Sequence, residues 1–235
     1  MKFAIIGDLH LPKSDYYPEG YFTIIRRHIE DEKPDVFLIT GDLAWGKEYR
    51  EAVRYLKPIF DLKVNYKIAV RGNHDKWFSI EVKRFFRDPK KLLLLDGDSF
   101  ILKSNLKRIG IAGIMGWYDF SFSDADITPS PADIIMTRNE AKKLRAALRE
   151  INDCEIKIVI MHFSPIKETV EGDPLISKAG SFMFFEIAKL YDVNYIFHSH
   201  THSIVKKSHV KRENIKIYNT SAVSLNFKPL ILNIS

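Results

Sequence analysis

Apolar residues fall along this chain in two rhythms. Short, nearly unbroken runs read as buried strands: Phe3-Ala4-Ile5-Ile6, Val36-Phe37-Leu38-Ile39, Tyr66-Lys67-Ile68-Ala69-Val70, Ile158-Val159-Ile160-Met161 and Val193-Asn194-Tyr195-Ile196-Phe197. Between them, apolar positions recur every three or four residues. Phe22, Ile25 and Ile29 predict a helix over 20–32, and Val53, Leu56 and Phe60 predict one over 47–60, with Pro58 near its end. With strands at 2–7, 35–40 and 66–70, the order is β-α-β-α-β, which argues for mostly parallel strands with helices on the sheet faces.

The rhythm then changes. A helix is expected over 77–87, followed by Leu92 to Leu95, a turn at Asp96-Gly97-Asp98, and strands at 99–102 and 108–115. Close-set strands with no helix between them predict an antiparallel passage and a second sheet. A polar-aromatic loop covers 117–131, a helix 131–152, a strand 156–161, a loop 163–179, and an aromatic-rich helix 181–191. Strands near 193–197, 203–210, 214–219 and 229–233 close the chain in hairpin fashion. With no internal repeat or linker, residues 1–235 are expected to form one domain.

Composition adds bounds. The 235 residues are 46% hydrophobic and 28% charged, ordinary for a globular protein with one sizeable core. Cys154 is the sole cysteine, so no internal disulfide exists. The N-terminal apolar run meets Gly7-Asp8 too early for a secretory signal, and no stretch is long enough to span a bilayer, so a cytoplasmic protein is expected. A formal charge of +6 favours anionic substrates such as phosphates or nucleic acids. The lysines and arginines are scattered, as solvated helix faces are.

Polar residues capable of chemistry stand at the ends of the strands. Asp8 and His10 come after the first run, Asp42 after the second, Asn73, His74 and Asp75 after the third, His162 after the fourth, and His198, His200 and His202 after the fifth. In open α/β sheets the strand carboxyl ends point into one crevice. If the five strands share a sheet face, Asp8, His10, Asp42, Asn73, His74, His162, His200 and His202 converge there. A mixed oxygen and nitrogen set without thiolate suits Mn, Fe, Zn, Co or Ni and differs from a structural zinc site. There are too many donors for one ion. Two cations about 3.5–4 Å apart, bridged by a carboxylate, would use them all and clamp both oxygens of a displacement at phosphorus.

Asp8-Leu9-His10, Gly41-Asp42, Gly72-Asn73-His74-Asp75, His162 and His200-Thr201-His202 resemble, in order, the motifs of the calcineurin-like metallophosphoesterase superfamily. The resemblance spans residues 8–202. It implies a four-layer α/β/β/α sandwich, two mixed sheets packed face to face with helices outside, which agrees with the two-sheet reading. It implies one metal held by Asp8, His10, Asp42 and His202, and another by Asp42, Asn73, His162 and His200. Asp42 would bridge together with a water or hydroxide that attacks phosphorus in line. His74 would face the substrate phosphate, stabilising the transition state or protonating the leaving alkoxide, and Asp75 would orient His74.

The chain departs from the family at Ser199, where glycine is usual, and carries an extra His198. A register using His198 and His200 is the alternative; His200 and His202 keep the family spacing. The expected activity is hydrolysis of a phosphate mono- or diester, with a nuclease or cyclic-nucleotide phosphodiesterase on the same site as the alternative. A non-catalytic interaction module on this fold is the reading from a different class. Expected substrate loops are 11–19, 44–47, 117–129 and 164–178, with Trp117, Tyr118 and Phe120 either stacking on a base or packing under their loop.

Overall fold

In the computed structural model, which describes residues 1–12, 17–103 and 107–235, every apolar run of the sequence becomes a strand buried on both faces. The first half contributes β1 (Lys2–Ile6), α1 (Tyr21–Glu32), β2 (Val36–Thr40), α2 (Tyr49–Phe60), β3 (Tyr66–Val70), a one-turn α3 (Ile80–Lys83), β4 (Arg87–Asp88) and β5 (Leu92–Leu95). The second contributes β6 (Asp98–Lys103), β7 (Arg108–Gly113), α4 (Pro131–Glu150), β8 (Ile156–Ile160), α5 (Phe182–Leu190), β9 (Tyr195–His198), β10 (His209–Arg212), β11 (Ile215–Asn219) and β12 (Leu230–Asn233).

Two six-stranded sheets result, in the orders β12-β1-β2-β3-β5-β4 and β10-β11-β9-β8-β7-β6. Each has four parallel strands in the middle and one antiparallel strand on either edge. Alternate residues of each strand face opposite layers. Phe3, Ile5, Leu38, Ile68 and Val70 of the first sheet meet Ile109, Ile111, Ile158, Ile160 and Phe197 of the second in a core between the sheets. Ala4, Ile6, Phe37, Ile39 and Ala69 face the other way, under Ile25 and Ile29 of α1 and Ala52, Leu56 and Ile59 of α2. Ala112, Val159 and Ile196 lie beneath Leu144, Ala147 and Leu148 of α4 and Phe184, Phe185 and Ile187 of α5. The layers run α/β/β/α. Among the described residues no helix is long and apolar enough to cross a membrane.

Three expectations are corrected. The helix expected over 77–87 is one turn: Trp77 and Phe86 turn into the core while Ile80 and Phe85 stay exposed, so no single helical face is buried. The indole Nε1 of Trp77 donates to the Ala44 carbonyl (2.9 Å), which holds that stretch out of helix. The closing strands, among the described residues, make one hairpin, β10–β11; β11 lies parallel to β9, and β12 returns to pair with β1 in the other sheet. Finally, the five polar strand ends do not share a sheet. β1, β2 and β3 belong to one and β8 and β9 to the other.

Candidate metal centre

The ends of those five strands meet at one rim of the sandwich. Gly7 N donates to Thr220 O across the sheets (2.8 Å), while the bonds from His162 N to Met115 O (2.9 Å) and from Ser199 N to His162 O (3.0 Å) extend the pairing of the second sheet. The residues that leave the strands turn sharply: Asp8, His10, Asp42 and His200 all hold positive φ, at 56°, 48°, 50° and 73°. Left-handed backbone at non-glycine residues is strained and clusters at functional sites. Hydroxyls pin the first turn, Tyr17 donating to Asp8 O (2.8 Å) and Tyr21 to Leu9 O (2.5 Å).

Asp8, His10, Asp42 and His202 bring one donor atom each within 4.8 Å of one another, the first three buried and His202 exposed. Asp8 Oδ2, His10 Nε2 and Asp42 Oδ2 are buried without any hydrogen-bond partner. Buried polar atoms are nearly always paired, so three orphans on three of the four clustered residues mark a candidate cation site. The donors are two carboxylates and two imidazoles, the chemistry of a hard to borderline divalent ion. These residues fit such an ion.

Beside this cluster lies the second set. His162 Nε2 is 2.9 Å from Asn73 Oδ1, 3.1 Å from His200 Nδ1 and 3.4 Å from Asp42 Oδ2. Three polar atoms crowd one ring nitrogen, an arrangement that suits a cation as well as a proton. The other ring nitrogen, Nδ1, faces the Thr40 carbonyl (3.1 Å), which can only accept, so Nδ1 carries a proton and Nε2 is the nitrogen free to lose its own to a cation. Ser199 Oγ donates to that same carbonyl (2.7 Å) and stands 3.1 Å from Nδ1. The serine thus braces the ring that turns Nε2 toward Asn73. Asp42 spans both sets; its Oδ2 is also 3.5 Å from His10 Nε2, and its Oδ1 accepts from His74 N (2.9 Å).

Electrostatics reflect burial opposed by neighbours. Burial lifts Asp8 to about 6 against the pull of His162 and His202. Burial pushes Asp42 the same way, but His162, His10 and His74 outweigh it and hold the carboxyl well below the usual range. His162 is disfavoured as a cation by burial, yet Asp42 and Asp8 raise it to about 9. His10 falls to about 3 and His200 well below its ordinary value, both through burial first. Burial also lowers His74.

Asp75 does not hold His74, contrary to expectation. Its carboxylate accepts from Gly72 N (2.8 Å), Leu43 N (3.0 Å) and Ala44 N (3.0 Å), stitching the loop after β2 to the loop after β3. Burial lifts its carboxyl to about 7, with the Asp42 charge adding to the rise and the backbone N–H groups opposing it. His74 is positioned by rings instead. Trp45 meets it edge-on with centroids 4.8 Å apart, and His10 does so at 5.5 Å; Trp45 itself stacks on His10 at 5.0 Å. Gly72 leaves room for Asp42: a Cβ there would run into the Asp42 carboxylate and its backbone N at 2.5 Å.

His198 is fully buried and bonds through Nε2 to Thr169 Oγ1 (2.8 Å), away from the cluster. His200 and His202 reach the rim. Trp117, Tyr118 and Phe163 pack on one another, and Phe163 lies against the His200 ring at 4.1 Å, so the aromatic loop supports a site residue from behind. Of the expected substrate loops, the segment 13–16 lies outside the described residues. Trp45 and Ser199 are the site neighbours that sequence reasoning missed. The departure at Ser199 was visible, but not that its hydroxyl would meet His162.

A family model described as calcineurin-like phosphoesterase matches residues 1–203. No curated relative matches the sequence. Among solved structures, the chain is similar to the phosphopantetheinyl hydrolase PptH of Mycobacterium tuberculosis, with 15% identity, 96% of this chain and 90% of that one covered, and a TM-score of 0.69. It is similar to the GAP50 anchor of the Plasmodium inner membrane complex at 12% identity, with 94% and 71% covered and a TM-score of 0.58. A phosphatase of Mycoplasma pneumoniae gives 16% identity, 95% and 72% covered, and a TM-score of 0.51. At these identities the likeness is one of fold.

Proposed function

The chain belongs to the calcineurin-like phosphoesterase family, and from that premise we propose that it is a single-domain, dinuclear metal-dependent enzyme that hydrolyses a phosphate mono- or diester. The observation that carries the reading is the trio of buried atoms without a hydrogen bond, Asp8 Oδ2, His10 Nε2 and Asp42 Oδ2, on three residues of one close cluster. In this reading Asp8, His10, Asp42 and His202 hold one cation, and Asn73, His162 and His200 hold the other, with Asp42 shared. Divalent cations bound there would neutralise charge on the phosphoryl oxygens and acidify a water.

The side chains of the protein do the rest. Asp8 and Asp42 supply the negative charge that draws cations into a buried site, and Ser199 keeps Nε2 of His162 available as a donor pair. His74 enters as a neutral imidazole, because burial lowers its pKa, and gives an N–H to a phosphoryl oxygen or to the leaving oxygen. Trp45 and His10 fix the plane of that ring.

The test is a panel of nitrophenyl mono- and diesters, cyclic nucleotides and single-stranded DNA, assayed with Mn, Fe, Zn, Co or Ni. Hydrolysis is expected with at least one cation and is abolished by a chelator. His74→Gln lowers turnover roughly 10²- to 10⁴-fold while elemental analysis finds the metal content retained. Undiminished turnover in that variant removes His74 from the reaction.

A further inference from the structure

A pocket of about 370 Å³ opens on the candidate metal centre itself, lined there by Asn73, His74, His200 and His202 and beyond it by Asp173, Pro174, Leu175 and Ser203. We propose that this pocket receives the leaving group of the phosphate ester and that the group is an uncharged, mainly apolar alcohol. The inference rests on the phosphoesterase reading of the site and adds the class of substrate.

His74 and His202 belong both to the pocket wall and to the surroundings of the cluster, so the pocket is continuous with the place where a phosphoryl group would sit. A substituent on that phosphorus has the pocket as its neighbour, and the imidazole that would serve the leaving oxygen forms part of the boundary.

The far wall is apolar because its polar groups are already engaged. Asp173 lines the pocket, but its Oδ1 accepts from Leu175 N (2.8 Å) and its Oδ2 from the Ser203 hydroxyl (2.8 Å). The Ser203 bond and Lys206 N donating to Glu171 O (2.8 Å) lace the 171–175 and 203–206 segments together, and the Leu175 N bond tightens the first of them, so the wall is a built surface. What that surface presents is aliphatic: Pro174, and Leu175, which is 65% exposed. Apolar side chains left in water beside a functional pocket mark a contact surface for an apolar group.

Charge gives the exclusion. Among the described residues, neither lysine nor arginine lines the pocket. A phosphorylated or carboxylated leaving group would lose water there with no cation to replace it, whereas an aryl or alkyl group gains from contact with Pro174 and Leu175. Esters whose leaving group itself carries a phosphate or carboxylate, polyphosphates and sugar bisphosphates among them, are therefore excluded as substrates by this wall.

The experiment uses two aryl phosphates whose phenols are matched in acidity, one with an apolar substituent and one with a carboxylate, assayed with the metal-loaded protein and with Leu175→Lys. The native protein is expected to favour the apolar ester in kcat/KM by roughly 10- to 100-fold, and Leu175→Lys to invert that preference. Leu175 is exposed, so the variant folds, which circular dichroism checks. As a readout without turnover, the Leu175 methyl resonances should move when the free apolar phenol is added, with no metal present. Equal rates for the two esters in both proteins, with still methyl resonances, overturn the pocket assignment and leave the phosphoesterase reading standing. If neither ester is hydrolysed with any cation, the phosphoesterase reading falls and this inference falls with it.

Discussion

The Asp75 carboxylate accepts hydrogen bonds from the backbone of two loops. Asn at this position would keep one acceptor and turn an NH₂ toward backbone donors. Because charge-assisted bonds contribute about 1.5–3 kcal/mol each, Asp75→Asn should cost about 2–4 kcal/mol. In a domain of this size that lowers the thermal midpoint by on the order of 10 °C. A midpoint within a degree or two of the native value would show that the loops do not depend on this carboxylate. The residue was legible in the sequence as important, since it follows Gly72-Asn73-His74, but its partner was not. Sequence adjacency suggested His74; the fold brings Leu43 and Ala44 closer, and two turns with unpaired N–H groups compete better for a buried anion than one imidazole.

At the scale of elements, strand existence was legible because buried parallel strands are apolar on both faces and stop abruptly. β3 coincides with its expected span of 66–70, and β8 with 156–161 to within one residue. The misjudged helix over 77–87 shows the limit. Its apolar positions have helical spacing, but they are claimed separately by the core and by the Trp77 bond to Ala44, and tertiary claims override periodicity. Distribution of strands between sheets was also beyond reach, because the apolar runs of β1 and β8 look alike. That distribution matters at the seam where Thr40 ends β2, His162 follows β8 and Ser199 follows β9. Ser199 joins all three through its bond to Thr40 O and its contact with His162 Nδ1. Ser199→Ala should therefore weaken metal binding roughly 10- to 100-fold, the usual cost of losing a hydrogen bond behind a metal-binding histidine. Calorimetric titration with the activating cation measures this, and an unchanged affinity would reduce the serine to a packing group.

Across the whole molecule, Asp8, His10, Asp42 and Asn73 come after strands of one sheet and His162, His200 and His202 after strands of the other, so bound cations would clamp the layers together. A ligand bound at a hundred times its dissociation constant stabilises the folded state by about 2.7 kcal/mol, so adding the activating cation should raise the thermal midpoint by roughly 5–10 °C. Asp42→Ala should abolish that rise, and a full rise in the variant would remove Asp42 from the shared position. The four-layer architecture was anticipated through the family motifs; the crossing of the chain between sheets was not, since nothing in an apolar run names its neighbour.

The last of these crossings bears on synthesis. β12 pairs with β1, residue Lys2 lying opposite Asn233, and until that partner is made the open edge of β1 offers unpaired N–H and C=O groups to any passing strand. A nascent chain stalled on the ribosome before residue 230 would carry the first half of the sandwich with this edge uncovered. Chaperone dependence and misassembly are then expected to concentrate in that interval of translation.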